Sequence, residues 1–350
     1  MIGVSYYSKD LSHPADRRRY AYIPEGLGEH LSVERLSQYD AVLINISTNF
    51  PYFLHSYKKL DHSSRPKIIF DYCDITIFDR GHTRLLRSLR SMLSAGVLLK
   101  PFFDYEKELL RIADCAICGS KEQREYLLDY CSNVEIISDC FYNDFNNSPC
   151  LEDYYEFDGI TIIWEGLASG NFSIFKMISK IEKRLKHSNV KYRFLFITDD
   201  TFSFFSNYFP ISLLRLLNKL MTPGCFKIIK WSPAALMQVS KIERSIAIIP
   251  IPKFDKRMMF KPENKAALWY GLGVKVLCSS TPSYQRYASI VKEVTVCDDI
   301  DAFVDEISST NHANKRNRIL HLEDEHRLEY KALWSNIFRN LDLLPYCSES

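Results

Sequence analysis

The sequence predicts an α/β fold made of two doubly wound parallel sheets. Three observations support this: the length of the chain, the alternation of strand and helix patterns, and a polar break near the middle. The chain has 350 residues, of which 46% are hydrophobic and 25% are charged. This length is too great for one ordinary core and suits two domains, and the charged fraction is that of a globular protein.

Short apolar runs alternate with helical patterns from one end of the chain to the other. The predicted strands are residues 2–6, 41–45, 67–71, 115–118, 134–137, 160–164, 192–197, 226–230, 245–249, 275–278 and 294–297. Continuous apolar strands are typical of parallel sheets that helices cover on both faces. Helical patterns at 84–98, 121–130 and 172–185 separate them, which indicates repeated βαβ units.

A polar stretch at residues 143–153, rich in Asn, Asp, Ser and Pro, predicts a linker between two domains. The predicted domains are residues 1–150 and 151–320. An amphipathic pattern at 311–341 predicts a final helix, so residues 321–350 are assigned to that helix and its tail. Parallel sheets bind ligands at the carboxyl ends of their strands, and two such domains imply a cleft between them.

The composition argues against several classes of protein. The net charge of +2 gives no overall attraction to nucleic acid. No apolar run approaches the roughly 20 residues of a membrane helix. The first residues indicate a strand rather than a signal peptide, so we expect a cytoplasmic protein. Cys115 and Cys118 would face opposite sides of a predicted strand, which favours buried free thiols over a redox or zinc pair.

A basic loop follows the first predicted strand. His13, Arg17 and Arg18 lie where Ser12 and Pro14 indicate the start of a helix. A helix N-terminus with arginines close by suits an anion such as a phosphate or a sugar carboxylate. The alternative is a solvated basic helix with one structural arginine.

Two aspartates, Asp71 and Asp74, follow the third predicted strand. At the carboxyl end of a buried strand, one of them could take a proton from an acceptor hydroxyl. We therefore treat His13, Asp71 and Asp74 as the candidate catalytic residues. The alternative is that Asp71 caps the next turn and that Asp74 is merely exposed.

The second domain opens with a glycine-containing loop. Gly166 and Gly170 follow the strand at 160–164, and a helix comes next. Glycines let a ligand approach the backbone closely, and the helix start favours a phosphate. A tight turn without a ligand is the alternative interpretation.

A second anion-binding pattern lies at residues 256–284. Lys261 and Lys265 flank a predicted helix start at Asn264, Arg257 lies upstream, and the helix ends at Gly273. A diphosphate held there would meet fixed N–H dipoles and cations, which stabilise the charge on a departing nucleotide. Ser279, Ser280 and Tyr284 follow the next strand and would line the sugar or phosphate side. The alternative is an exposed amphipathic helix.

This segment resembles the donor-binding segment of group-one GT-B glycosyltransferases. The matching positions are Asn264, Lys265, Gly273, Ser279, Pro282 and Tyr284. Residues 162–166 look like the first strand and glycine loop of a donor domain, and 118–123 and 247–252 are similar to other segments of that family. The resemblance implies two Rossmann-like domains facing a cleft, with the final helix crossing back to the first domain.

The resemblance also implies an activity. It implies transfer of a sugar from a nucleotide-sugar donor, without a metal or other cofactor, to a glycan or lipid-linked acceptor in polysaccharide or lipopolysaccharide synthesis. The donor would meet Gly166, Arg257, Lys261, Asn264, Lys265, Ser279, Ser280 and Tyr284. The acceptor would enter near His13 and the two aspartates.

Three departures from the family pattern leave the donor open. Leu268 stands where many relatives have the glutamate that holds the ribose, Lys275 replaces a usual proline, and no Lys or Arg directly follows Gly166. A nucleoside-diphosphate sugar is the default donor, and a CMP-linked acidic sugar is the alternative. Two other functions stay open: a nucleotide-sugar epimerase or hydrolase, and a non-catalytic nucleotide-sugar-binding partner subunit.

The segment from Arg80 to Lys100 contains no acidic residue and has a basic amphipathic pattern. Such a segment can lie on an anionic membrane surface, which predicts peripheral contact with the inner face of a membrane. The alternative is an ordinary helix whose apolar side packs on the sheet.

Overall fold

The chain divides into two compact units, each built on a six-stranded parallel sheet. This computed structural model describes residues 1–8, 16–20, 23, 28–72, 101–139, 157–168, 171–204, 209–253, 256–309 and 322–343. Unit 1 comprises residues 1–143, 260–262 and 324–350, and unit 2 comprises 144–259 and 263–323. The predicted pair of doubly wound sheets is confirmed.

The sheet of unit 1 consists of β1 (Ile2–Val4), β2 (Gly28–His30), β3 (Ala41–Ile44), β4 (Lys67–Asp71), β5 (Cys115–Cys118) and β6 (Val134–Ile136). The strands lie in the order β2-β1-β3-β4-β5-β6, and every neighbouring pair is parallel. The sequence analysis did not predict β2, because this edge strand is short and polar and carries no apolar pattern.

Helices pack on both sides of this sheet. They are α1 (Phe50–Lys59), α2 (Phe102–Ile112), α3 (Lys121–Leu127) and a C-terminal helix (Leu322–Asn340). Trp334 and Phe338 of the C-terminal helix are fully buried with Ile2 and Tyr20 in the core of unit 1. The Trp334 indole N–H also donates a hydrogen bond to the carbonyl oxygen of Arg19 (2.9 Å). The final helix therefore returns to the first unit, as predicted.

The sheet of unit 2 consists of β7 (Ile160–Glu165), β8 (Tyr192–Thr198), β11 (Phe226–Lys230), β12 (Ser245–Ile249), β13 (Lys275–Ser279) and β14 (Val294–Cys297). Their order is β11-β8-β7-β12-β13-β14, again with all neighbours parallel. An antiparallel hairpin, β9 (Thr201–Phe204) and β10 (Phe209–Ser212), follows β8. The βαβ pattern did not predict it, because it is an insertion within one crossover connection.

The described part of unit 2 has six α-helices, and local chemistry explains where several of them begin or end. They are α4 (Phe172–Leu185), α5 (Leu213–Leu220), α6 (Pro233–Ser240), α7 (Asn264–Gly271), α8 (Pro282–Ile290) and α9 (Ile300–Ser308). Ser232 and Thr281 cap α6 and α8, each with proline as the first helical residue. Gly273 follows α7 with φ of +75°, the left-handed conformation expected after a helix end.

The two cysteines of β5 are buried on opposite faces of the sheet. Cys115 packs in the cluster that contains Trp334, and Cys118 packs in the cluster that contains Phe53. Burial raises the pKa of each thiol to about 12. Both thiols are free, so the prediction of buried free thiols on opposite faces of the strand is confirmed.

We expect replacement of Trp334 by alanine to destabilise unit 1 by about 3 to 5 kcal/mol, because it empties a fully buried aromatic site. Hydrogen exchange followed by mass spectrometry should show faster exchange in β1, β3, β4 and β5, with unit 2 unchanged. Lys331→Ala, at an exposed position of the same helix, is the control. Wild-type exchange rates in Trp334→Ala would contradict the packing described here.

Candidate functional site

The strand order of unit 2 reverses direction between β7 and β12. From β7 the chain continues to β8 and β11 on one side, whereas β12, β13 and β14 lie on the other. Ligands of doubly wound sheets bind at the carboxyl edge beside such a reversal. In unit 2 this edge carries Glu165 and Gly166 at the end of β7, and Ile249 and the residues after it at the end of β12.

Lys265, in the first turn of α7, places its ammonium at the end of β7. Its Nζ atom donates a hydrogen bond to the carbonyl oxygen of Glu165 (2.5 Å) and lies 3.3 Å from the carboxylate Oε2 of the same residue. It also lies 5.7 Å from the ring centroid of Trp164, within the range of a cation–π contact. Lys265 and Gly166, which the sequence analysis assigned to donor binding from separate segments, are therefore neighbours.

Two features of Gly166 bear on the position of Lys265. Its φ of +153° is one that residues with side chains rarely adopt. A Cβ atom there would also lie 2.5 Å from the Lys265 ammonium nitrogen. The absence of a side chain therefore lets the lysine lie directly over the backbone of the loop.

Two residues of this cluster, Glu165 and Trp231, were not predicted. The Trp231 indole N–H donates a hydrogen bond to Glu165 Oε1 (3.0 Å), and Glu165 is only 9% exposed. Trp231 directly follows β11, just as Glu165 ends β7, so both lie at the same edge of the sheet. The sequence indicates that each residue lies at a strand end, but no local sequence pattern predicts the contact between them.

The start of α7 carries two further predicted residues. The helix begins at Asn264, and its N-cap residue Glu263 makes no capping hydrogen bond through its side chain. Lys261, just before it, is exposed. Leu268, at the position where relatives have a glutamate, is buried, with 4% exposure. The donor-binding roles of Asn264 and Lys261 stay predictions.

Ser279, Ser280 and Tyr284 have different surroundings. The Ser279 hydroxyl accepts a hydrogen bond from the backbone N–H of Ile251 (2.8 Å), which joins the ends of β12 and β13. The Ser280 hydroxyl accepts one from the Gln285 amide (2.7 Å). Tyr284 is 3% exposed, and burial raises the pKa of its phenol. Ser280 is half-buried, whereas Ser279, with 6% exposure, is buried like the tyrosine.

Both serines line a groove of about 1110 Å³ within unit 2. The other walls carry charges of both signs, including Lys180 and Arg184 of α4 and Asp298 and Asp299 at the end of β14. Lys265 and Glu165 are not among the residues that line it. The groove and the Lys265 cluster thus mark two separate parts of unit 2.

The first unit has a buried polar network at its own carboxyl edge. Asp71, at the end of β4, is fully buried and pairs with Arg19, whose Nη2 lies 2.7 Å from Oδ1. Tyr20 donates a hydrogen bond to Asp71 Oδ2 (2.7 Å), and Asn45 donates to the Tyr20 hydroxyl (3.0 Å). Burial raises the pKa of Asp71, while the Arg19 charge and the Tyr20 hydroxyl oppose that shift. The structure shows Asp71 as the partner of Arg19, and its role as a base stays a prediction.

Several predicted residues lie outside what the structure describes. His13, Asp74 and the basic segment 80–100 are among them, as are the side chains of Arg17 and Arg257. Arg18 is half-buried in a single helical turn, Asp16–Tyr20. The roles assigned to these residues stay predictions.

Within the described ranges, no group of three or more His, Cys, Asp or Glu side chains is placed to hold a metal ion. Among the same residues, no helix has both the length and the apolar character needed to span a bilayer. Metal independence stays a prediction.

Of the comparisons with known proteins, the one with solved structures finds similar proteins. No family model matches the chain, and no curated protein matches it by sequence. Sucrose-phosphate synthase from Thermosynechococcus elongatus superposes with a TM-score of 0.56 over 87% of this chain and 74% of that one, at 11% identity. OtsA gives a TM-score of 0.55 over 89% of this chain and 76% of that one, also at 11% identity.

An O-GlcNAc transferase from Thermobaculum terrenum gives a TM-score of 0.54 and covers 98% of this chain and 67% of that one, at 11% identity. The shared feature is the pair of parallel-sheet units. The chain has the GT-B fold. The predicted fold class is confirmed, and at this identity the similarity establishes the fold alone.

We expect Gly166→Ala to displace the Lys265 ammonium from the Glu165 carbonyl, because the new Cβ atom would occupy its place. The substitution should cost about 1 to 3 kcal/mol of stability through backbone strain. Acetylation of Lys265 by acetic anhydride, followed by mass spectrometry, should become faster because the amine leaves its partners. Gly224→Ala serves as the control. Gly224 also has a positive φ, of +85°, but a Cβ atom added there would meet no atom within 4 Å. Equal acetylation of Lys265 in wild type and Gly166→Ala would contradict the contact.

Proposed function

We propose that this protein is a glycosyltransferase that moves a sugar from a nucleotide-sugar donor to a glycan or lipid-linked acceptor. The observation that carries the proposal is the Lys265 ammonium at the carboxyl end of β7, beside the side-chain-free backbone of Gly166. A cation at the strand-order reversal of a doubly wound sheet is suited to a phosphate group. An O-GlcNAc transferase and a sucrose-phosphate synthase are among the proteins that share the fold.

In the proposed reaction, unit 2 holds the donor in position and supplies a fixed positive charge. As the bond from the sugar to the nucleotide breaks, negative charge grows on the departing diphosphate. Lys265 and the N–H groups in the first turn of α7 would stabilise that charge by fixed electrostatic interactions. The acceptor hydroxyl loses its proton as it attacks the sugar carbon, and we propose that Asp71, Asp74 or His13 receives that proton.

The finer parts of the proposal come from the sequence resemblance. They are an acceptor in surface polysaccharide or lipopolysaccharide synthesis, and contact of segment 80–100 with the inner face of a membrane. The basic amphipathic pattern of that segment supports the second part. Both would place the enzyme where lipid-linked glycans are assembled.

A non-catalytic nucleotide-sugar-binding subunit is the second candidate function. The observation that favours it is Leu268, a buried apolar side chain where many family members have a ribose-binding glutamate. Such a subunit would bind the donor and leave it intact. A transferase would release nucleotide faster when a suitable acceptor is added.

We expect one nucleotide among UDP, GDP, CMP, ADP and dTDP to bind to the purified protein in calorimetry. Lys265→Ala should weaken this binding about tenfold or more, because it removes a charge-assisted contact to phosphate. Lys292→Ala is the control, since this exposed lysine lies in the turn before β14, at the amino edge of the sheet. The absence of binding by all five nucleotides at millimolar concentration would refute the proposed donor site.

A further inference from the structure

We infer that Trp231 and Glu165 are positioning residues that hold the Lys265 ammonium over the Gly166 backbone and thereby make it the group that recognises the diphosphate of the bound nucleotide. This inference rests on the proposed function. It assigns roles to two side chains that lie far from Lys265 in the sequence, at separations of 34 residues for Trp231 and 100 for Glu165.

The first step of the argument is that Lys265 has one well-defined position. A lysine side chain is long and flexible, so an exposed ammonium usually samples many positions. Here the Nζ atom contacts the Glu165 carbonyl oxygen at 2.5 Å and the Glu165 carboxylate at 3.3 Å. The Trp164 ring, at 5.7 Å, borders it on another side. These contacts direct the charge to the end of β7.

The second step concerns the Glu165 carboxylate, whose two oxygens have different partners. Oε1 accepts the Trp231 indole N–H at 3.0 Å, and Oε2 faces Lys265. An indole ring has a single N–H donor, so this bond orients the carboxylate in one direction. The Trp231 backbone is itself fixed, because its N–H donates to the Thr198 carbonyl oxygen (3.2 Å). The chain of contacts therefore runs from the ends of β8 and β11, through Glu165, to Lys265.

The third step is the chemistry of the ligand. Residues 167–171 after the glycine are Leu, Ala, Ser, Gly and Asn, so this loop contributes no cation of its own. Lys265 supplies one from α7, and Gly166 has no side chain to keep a phosphate away from it. A nucleoside without phosphates would gain nothing from this ammonium, whereas a diphosphate would gain a charge-assisted contact. Lys265 should therefore set the preference for nucleoside diphosphate over nucleoside.

The experiment is a double-mutant cycle that measures the preference for the nucleoside diphosphate over the nucleoside. For the nucleotide that binds, calorimetry gives Kd for the nucleoside and for its diphosphate in wild type, Trp231→Phe, Lys265→Met and the double variant. Trp231→Phe keeps an aromatic ring but removes the N–H donor, together with part of the ring volume. Lys265→Met keeps an unbranched side chain of nearly the same length and removes the ammonium group. Circular dichroism and the melting temperature verify that each variant is folded.

We expect Lys265→Met to reduce the preference for the diphosphate about tenfold and Trp231→Phe to reduce it about threefold. The double variant should match Lys265→Met, because Trp231 acts only through the ammonium. Nucleoside affinity should stay unchanged throughout. Lys265→Arg should retain most of the preference, because it keeps the cation.

Three outcomes would overturn the inference. One is a wild-type preference in Trp231→Phe, and another is a further loss in the double variant beyond that of Lys265→Met. The third is an equal loss of nucleoside and diphosphate affinity in Trp231→Phe, which would show that the ring contacts the base. A wild-type protein that binds no nucleotide would instead overturn the proposed function, and this inference with it.

Discussion

The parallel pairing of every strand in both six-stranded sheets is the constraint on which the rest of the structure depends. Parallel pairing collects the carboxyl ends of the strands at one edge, so residues far apart in sequence become neighbours there. In unit 2 this brings together the ends of β7 and β11 and the start of α7. In unit 1 it brings Asp71 and Asn45 to the Tyr20 hydroxyl.

The two edges use their polar residues differently. In unit 1 the Arg19–Asp71 pair is almost fully buried, with exposures of 2% and 0%. A buried pair of this kind fixes the turn Asp16–Tyr20 against the end of β4, because removal of either partner would leave an uncompensated charge. In unit 2 the Lys265 side chain remains 41% exposed while Glu165 holds it. Among the residues that the structure describes at these edges, Lys265 therefore presents a charge that a ligand can reach.

The sequence was enough to predict the fold and to select some residues of the candidate site. Strand and helix periodicities are local signals, and the caps at Ser232 and Thr281 can be identified from two or three adjacent residues. Gly166 and Lys265 could be selected because a glycine after a strand and a lysine at a helix start each suggest phosphate binding. Trp231 and Glu165 could not be selected, because their role comes from a contact between strand ends 66 residues apart. The burial of Asp71 could not be predicted from the sequence either, because it depends on Arg19 and Tyr20 contacting the end of β4.

The most direct test of the account is an experimental structure of the protein with the nucleoside diphosphate that it binds. The account predicts a phosphate oxygen about 3 Å from Lys265 Nζ, a hydrogen-bonding distance, at the carboxyl end of β7. The Trp231–Glu165 hydrogen bond should persist in that structure. A nucleotide bound in the groove beside α4, or at the carboxyl edge of unit 1, with Lys265 still held by Glu165 alone, would contradict the central claim.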